Sequence, residues 1–225
     1  MDELAPLADG PHDLEFFFDA GCPFAWMTSR WVVQVVEATG ISVGWRFISL
    51  KMINEDSDLP ESYKAPQVQG LRFHRICAAT RDRFGNDAVG QLYTAYGSAF
   101  WYQTALGGYA ERMEVARAAI DFAAFIDGAG LPADLVDAAD DDSWDVVIRA
   151  ESDAAFGRAG PDLGTPIITF VGSGRSIFGP VISSLPDPGK AVEIYEAVKL
   201  LVDWDSFSEL KRTERAHLDL PILTS

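Results

Sequence analysis

The chain has 225 residues and a mass of 24.6 kDa, and its 34 acidic against 18 basic side chains leave a formal net charge of −16. That charge repels phosphate backbones and anionic headgroups, so nucleic acid and membrane surfaces are poor partners, and no apolar run approaches the ~18 residues of a bilayer span. Hydrophobic residues at 48% and charged residues at 23% are ordinary for a globular domain, which argues against disorder and against a disulfide-stapled miniprotein.

The N-terminal run Met1 to Gly10 has neither a basic start nor an apolar core, so the expected location is the cytoplasm. Only Cys22 and Cys77 are present. Two cysteines in a reducing compartment make no structural disulfide framework, and each has to be weighed on its local chemistry.

Taken in chain order, Leu14 to Asp19 is short, aromatic and closed by Ala20-Gly21, and reads as a buried strand. A helix fits Pro23 to about Ala38, with Pro23 at its first position and Gly40 beyond its end. Ile41 to Leu50 alternates apolar and polar residues and reads as a second strand, parallel to the first. From Lys51 to Leu163 helical patterns take over: Gln67–Phe84, Asp87–Tyr102, Arg112–Ala129, Pro132–Ala139 and Ser143–Gly157. Strands return at Pro166–Val171 and Ser176–Phe178, joined by the hairpin signal Gly172-Ser173-Gly174. A last helix covers Pro188 to about Asp203. The acidic run Asp140-Asp141-Asp142 reads as a solvated helix cap.

The order βαβ, helices, ββα is the thioredoxin plan, an α/β fold, with a large all-helical insertion. It divides the chain into a first half-domain over 1–50, the insertion over 51–163, and a second half-domain with a tail over 164–225.

Cys22 follows a buried strand and opens a helix. There a thiol faces unpaired backbone N–H groups and the positive end of the helix dipole, both of which favour the thiolate nucleophile. A lone cysteine is more often a small buried apolar residue, but its place between a strand and Pro23 favours function. In thioredoxin-type redox sites a second cysteine three residues on resolves the mixed disulfide; here that position is Ala25. A single-thiol site can still attack, or be held as, a mixed disulfide with a low-molecular-weight thiol, a second thiol molecule completing the cycle. The complementary signal is Gly164-Thr165-Pro166, because the thioredoxin plan sets a cis-proline at the start of the third strand, beside the cysteine. Thr-Pro alone would mean little, since Pro is tolerated at the first residue of any strand.

Several runs together resemble a known family. They are Asp19-x-x-Cys22-Pro23, Trp26, Thr28-Ser29-Arg30-Trp31, Ser49-Leu50, Asn54-Glu55, Leu59-Pro60-Glu61 and Tyr63. Further along stand Leu92-Tyr93-Thr94-Ala95, Gly164-Thr165-Pro166, Phe178-Gly179-Pro180-Val181 and the tail Phe207-x-Glu209-Leu210-Lys211-Arg212-Thr213. They resemble the actinobacterial mycothiol-dependent reductases, DsbA-like thioredoxin-fold proteins among which nitroreductases are the best known.

The resemblance implies that Cys22 is the attacking cysteine, that Asn54 and Tyr63 line the thiol-binding cleft, and that Thr165-Pro166 is the cis-proline loop. Pro23, Phe24, Trp26 and Trp101 complete the expected thiol- or substrate-binding set. The implied cofactor is mycothiol, or another low-molecular-weight thiol such as glutathione, and the partners are that thiol and a small substrate; a homodimer is admitted. Two departures stand out. The family's Cys-Pro-Trp-Cys is Cys22-Pro23-Phe24-Ala25 here, and the histidine expected after Leu-Tyr-Thr-Ala is Trp101, which leaves the cleft more apolar and aromatic.

Other residues read more blandly. Cys77 sits in a helical stretch and is best explained by packing, although it could resolve a disulfide if its Cα came within about 7 Å of that of Cys22. His12, His74 and His217 share no ligand spacing, so no metal site is expected. Tyr93, Tyr96 and Phe100 recur at helical spacing and read as core, while Trp101 and Tyr102 could wall a substrate cleft.

Rival readings remain. Kappa-type glutathione transferases and 2-hydroxychromene-2-carboxylate isomerases share the inserted helical domain and carry a single Ser before Pro at this site, the thiol cofactor itself being the nucleophile. A binding protein that lost catalysis with its resolving cysteine is the third. The acidic chain would also slow an anionic thiol unless Arg30 or Arg72 offsets the field locally.

Overall fold

The structure is a computed structural model that describes residues 4–102, 120–160, 164–214 and 216–221, with side chains left aside at 61–63 and 65. A four-stranded sheet in the order β2-β1-β3-β4 forms its centre. β1 (Leu14–Phe18) pairs parallel with β2 (Val43–Phe47), from Leu14 opposite Val43 to Phe18 opposite Phe47. It pairs antiparallel with β3 (Ile167–Phe170), which forms a hairpin with β4 (Arg175–Phe178). With α1 (Pro23–Thr39) between β1 and β2 and α7 (Pro188–Asp203) after β4, this is the thioredoxin-like fold, and the helices α2 to α6 lie between β2 and β3.

Side chains alternate across β1. Phe16 and Phe18 enter the main core under α1 and the helical insertion, while Phe17 enters a smaller cluster with Ile48, Ala155 and Ile167 on the opposite face. That second face is covered by α6 (Asp145–Ala159), drawn from the end of the helical stretch. An ionic network pins it there. Buried Glu151 accepts from Arg46 at 2.9 Å, from Arg81 at 2.8 Å and from the Phe47 N–H at 2.8 Å, while Glu15 binds Arg46 at 2.6 Å and Arg158 at 2.7 Å.

Several boundaries differ from expectation. The second strand stops at Phe47 because Ser49 turns to cap α2 (Leu50–Ile53), its hydroxyl accepting from the Met52 N–H. α3 runs over Glu61–Phe84, so Pro66 lies inside the helix; its missing N–H removes one hydrogen bond near the start without ending the helix. α4 (Asn86–Trp101) agrees closely. Of the helix expected over 112–129, residues 112–119 lie outside the described residues, and α5 covers Phe122–Gly128 with Asp121 as its N-cap. The stretch expected as a helix from Pro132 is a 3₁₀ helix over Ala133–Asp140 lying along α3, and a second 3₁₀ turn, Asp142–Trp144, leads into α6. Asp134 and Asp140 of the first 3₁₀ helix pair with Arg83 and Arg72 of α3, and Leu135, Ala138 and Ala139 are buried beneath it.

Candidate functional site

The site begins where β1 ends. Asp19 is fully buried, and its two carboxylate oxygens accept from the Gly21 and Leu50 N–H groups, each at 2.7 Å. One side chain thereby fixes both the loop before Cys22 and the start of α2. Close approach makes the arrangement possible: a Cβ on Gly70 of α3 would lie 2.6 Å from an Asp19 oxygen, and one on Gly21 would lie 3.1 Å from the Pro66 carbonyl. Removing the carboxylate from water pushes its pKa up to about 7 against the pull of the two N–H groups.

Cys22 is the N-cap of α1, followed by Pro23, and its carbonyl accepts the Trp26 N–H at 3.1 Å. Its Sγ lies 3.5 Å from the Thr165 carbonyl oxygen, 143 residues away in sequence, and donates its proton there. The Thr165–Pro166 peptide is cis; the Thr165 hydroxyl donates to the Phe17 carbonyl at 3.1 Å, and the Pro166 carbonyl accepts from the Gly179 N–H at 2.9 Å. The strand-to-helix turn and the start of β3 thus meet at one sulfur.

The protonation of that sulfur differs from expectation. The backbone N–H groups of Ala25 and Phe24 do favour a thiolate, but burial outweighs them and the Asp19 charge adds to it, so the thiol is pushed up to about 12. With the side chain only 9% exposed, the desolvation cost exceeds what the helix start returns, and the resting group is a neutral S–H. Cys77 is fully buried, its thiol is also raised by desolvation, and both cysteines are free.

The remaining candidates fall in different places. Pro23 and Phe24 are half-buried beside Cys22. Trp26, one turn on, is fully buried; a Cβ on Gly97 of α4 would lie 2.2 Å from its ring, and the Arg30 guanidinium covers it at 4.0 Å. Contacts from Arg30 to Thr94 and from Trp26 to Gly97 run the two helices antiparallel, so the turn of α4 bearing Trp101 lies toward the Cys22 end of α1. Trp101 is buried, edge-on to Phe100, whereas the neighbouring Tyr102 is 42% exposed with its ring 6.0 Å from Trp26. Asn54 is half-buried at the end of α2, its backbone N–H bonded to the Leu50 carbonyl, which joins it to the Asp19 loop through α2. The Tyr63 side chain lies outside the described residues.

The run Thr28-Ser29-Arg30-Trp31 forms a brace. Thr28 donates to the Pro180 carbonyl at 2.8 Å, Ser29 accepts from Arg30 Nε at 3.1 Å, and Trp31 Nε1 donates to the Ala191 carbonyl at 3.0 Å. Below Cys22, Tyr93 is fully buried and stacks on Phe18 at 4.1 Å. Trp26 Nε1 and Trp101 Nε1, both buried, have no hydrogen-bond partner. An open cavity of about 570 Å³ lies elsewhere, between α1, α4 and α5, with Thr94 on its wall and Cys22 outside it.

Sequence reasoning passed over Asp19 and Arg30 as site residues. The signal for Asp19 was a carboxylate directly after Phe16-Phe17-Phe18, a place where a charge has no cheap exit to water. Among the described residues no group of three or more His, Cys, Asp or Glu is placed to hold a metal, and no helix is long and apolar enough to cross a membrane.

DsbA from Proteus mirabilis aligns with a TM-score of 0.45 at 14% identity over 89% of this chain and 90% of its own. A 2-hydroxychromene-2-carboxylate isomerase aligns with a TM-score of 0.42 at 12% identity over 84% and 95%. The protein Rv2286c of Mycobacterium tuberculosis is 30% identical over 200 residues, covering 88% of this chain and 81% of the relative. The profile described as Rv2466c-like, mycothiol-dependent nitroreductase Rv2466c, matches residues 21–212, a span that starts at the Cys22 turn and ends in the Phe207–Thr213 tail. Matched over that span, the chain belongs to the Rv2466c-like family of mycothiol-dependent nitroreductases.

Proposed function

We propose that the protein is a cytoplasmic thiol-dependent oxidoreductase in which Cys22 works alone, exchanging with mycothiol, or with glutathione in its place, to reduce or modify a small apolar or aromatic substrate. The observation that carries this reading is the Cys22 Sγ held 3.5 Å from the Thr165 carbonyl. Such a thiol is aligned for a ligand that competes for the same carbonyl, and Ala25 provides no sulfur to close an internal disulfide.

When bound, the low-molecular-weight thiol supplies the reducing electrons and the second sulfur. The chain's own part is to hold and then release the Cys22 proton. When Cys22 attacks the disulfide of the oxidised thiol, its new S–S bond forms as the ligand's S–S bond breaks, the Cys22 proton leaves with the departing thiol, and the N–H groups of Phe24 and Ala25 favour the charged sulfur on the way. Pro23 and Thr165 fix the two walls of the turn, and Asn54 and Tyr63 lie on the helices that border it.

Intact-mass measurement after incubation with oxidised mycothiol or oxidised glutathione tests the reading. One thiol adduct per chain is expected, absent in Cys22→Ser, with turnover abolished in that variant. A fully active Cys22→Ser protein that carries no adduct would refute it.

One observation favours a second reading. A neutral Cys22 can act as an S–H donor that stabilises a nucleophilic cofactor thiol, the logic of an isomerase or conjugating transferase. Substrate consumed at constant free thiol, with activity surviving in Cys22→Ser, would select the isomerase. Thiol binding without turnover under any donor would select a binding protein.

A further inference from the structure

Arg30 stands apart from the other arginines. Arg46, Arg72, Arg75, Arg81, Arg149 and Arg175 each pair with a carboxylate. Arg30 is packed between α1 and α4 without one. Its Nε and Nη1 donate to hydroxyls, Ser29 at 3.1 Å and Thr94 at 2.9 Å, while Nη2 is buried and unpartnered. In a chain of net charge −16, acidic side chains are abundant, yet among the described residues none forms an ion pair with this cation, and Glu37 acts on it only from a distance. Stacking on Trp26 at 4.0 Å orients the fork without supplying a bonded counter-charge.

Thr94, which holds one arm of the fork, also lines the 570 Å³ cavity. Val33 and Trp45 give that cavity an apolar wall, Gln91 and Ser98 add polar groups, and Asp87 stands seven residues from Thr94, about 10 Å along α4. We propose that this cavity binds a small apolar monocarboxylate, its carboxylate taken by the Arg30 fork at the Thr94 corner and its body laid against Val33 and Trp45. One cation matches one negative charge, and Asp87 at the far end disfavours a second. Nη2 is closed to solvent, so binding turns the guanidinium from over Trp26 toward the cavity. Arg30 stands eight residues from Cys22, about 12 Å along α1, so the carboxylate belongs to a molecule separate from the thiol exchanged at Cys22.

Calorimetric titration of the full chain with naphthalene-2-carboxylate and with octanoate, each beside its primary amide, tests the site. The acids are expected to bind at least about tenfold tighter than the amides, the value of roughly one charge-assisted contact. Arg30→Met should remove that preference, and Thr94→Val should weaken it. Cys22→Ser should leave it unchanged, so a failure of the Cys22 chemistry and a failure of this site are seen separately. The comparison of acid with amide on the unaltered chain stands even if Arg30→Met does not fold. Equal binding of acid and amide, a preference that survives Arg30→Met, or no binding of either acid overturns the proposal.

Discussion

Replacing Asp19 by Asn should change the pH dependence of stability more than stability at any one pH. In the folded chain the carboxyl is raised from 3.8 to about 7 by burial, while in the unfolded chain it titrates at its ordinary value. Between those values the native state holds a proton that the unfolded state has released, so the Asp19 contribution is complete below about pH 4 and is lost as pH rises through 7. Three pH units at about 1.4 kcal/mol each give an upper bound near 4 kcal/mol between pH 4 and 8. Asn carries no charge and retains one acceptor oxygen for the Gly21 and Leu50 N–H groups, so Asp19→Asn should cost about 1 kcal/mol at pH 5, where the carboxyl is protonated and its hydroxyl is already the poorer acceptor. The balance should shift in favour of the variant by roughly 2 kcal/mol or more on going to pH 8, where the parent buries a charge. Urea denaturation of both proteins at pH 5, 6, 7 and 8, compared pairwise, isolates this effect because the other titrating groups are common to both. The same variant should show a lower Cys22 pKa in ultraviolet thiolate titration, since the nearby Asp19 charge helps burial to raise it. A stability difference constant across the four pH values would refute the reasoning.

Gly97→Ala should destabilise despite a helix-propensity gain of about 1 kcal/mol, because the new Cβ would sit 2.2, 2.3 and 2.6 Å from three ring atoms of the fully buried Trp26. A net loss of about 1–2 kcal/mol by chemical denaturation is expected, with altered tryptophan emission; an unchanged midpoint would show that the helices separate freely. Glu151→Ala should cost about 3 kcal/mol, since it leaves the Phe47 N–H unpaired in the interior, Arg81 without its carboxylate and Arg46 with Glu15 alone. Glu55→Ala, which breaks only the exposed pair with Arg149, should move the midpoint far less in the same assay; equal effects would remove the distinction drawn from burial.

What the sequence disclosed of this molecule depended on how local the signal was. Pro23 and Gly40 bracket α1 because each acts on its own backbone, the first at N1 and the second in the left-handed conformation at φ +75°. The hairpin at Gly172-Ser173-Gly174 is local in the same way, with Gly174 at φ +68°. Signals that depend on tertiary contact were misread or missed. The helix expected from Gln67 begins at Glu61, with Pro66 inside it and the Pro66 carbonyl close against Gly21. The helix-start argument for Cys22 was sound as a local rule, and burial, invisible in a single sequence, reversed its outcome. Arg30 read as a possible counter-charge beside Arg72; only the fold distinguishes Arg72, paired with Asp140, from Arg30, which has no carboxylate. Glycines 70, 90 and 97 carried no readable signal at all, because their meaning lies in Asp19, Trp45 and Trp26 pressed against them.

The hydrogen bond from Cys22 to the Thr165 carbonyl has a consequence for survival under oxidants. Peroxides attack thiolates, and the sulfenic acid they form is ordinarily rescued by a neighbouring cysteine before further oxidation makes the damage permanent. With Ala25 in the neighbouring position, that rescue is missing, and an ionised sulfur at rest would be exposed to irreversible loss. A proton kept on the sulfur by burial, and pointed at a carbonyl, keeps the resting thiol a poor target for peroxide. A missing partner cysteine and a silent resting thiol are thus chemically compatible: the sulfur that no neighbour can rescue is the one that stays protonated.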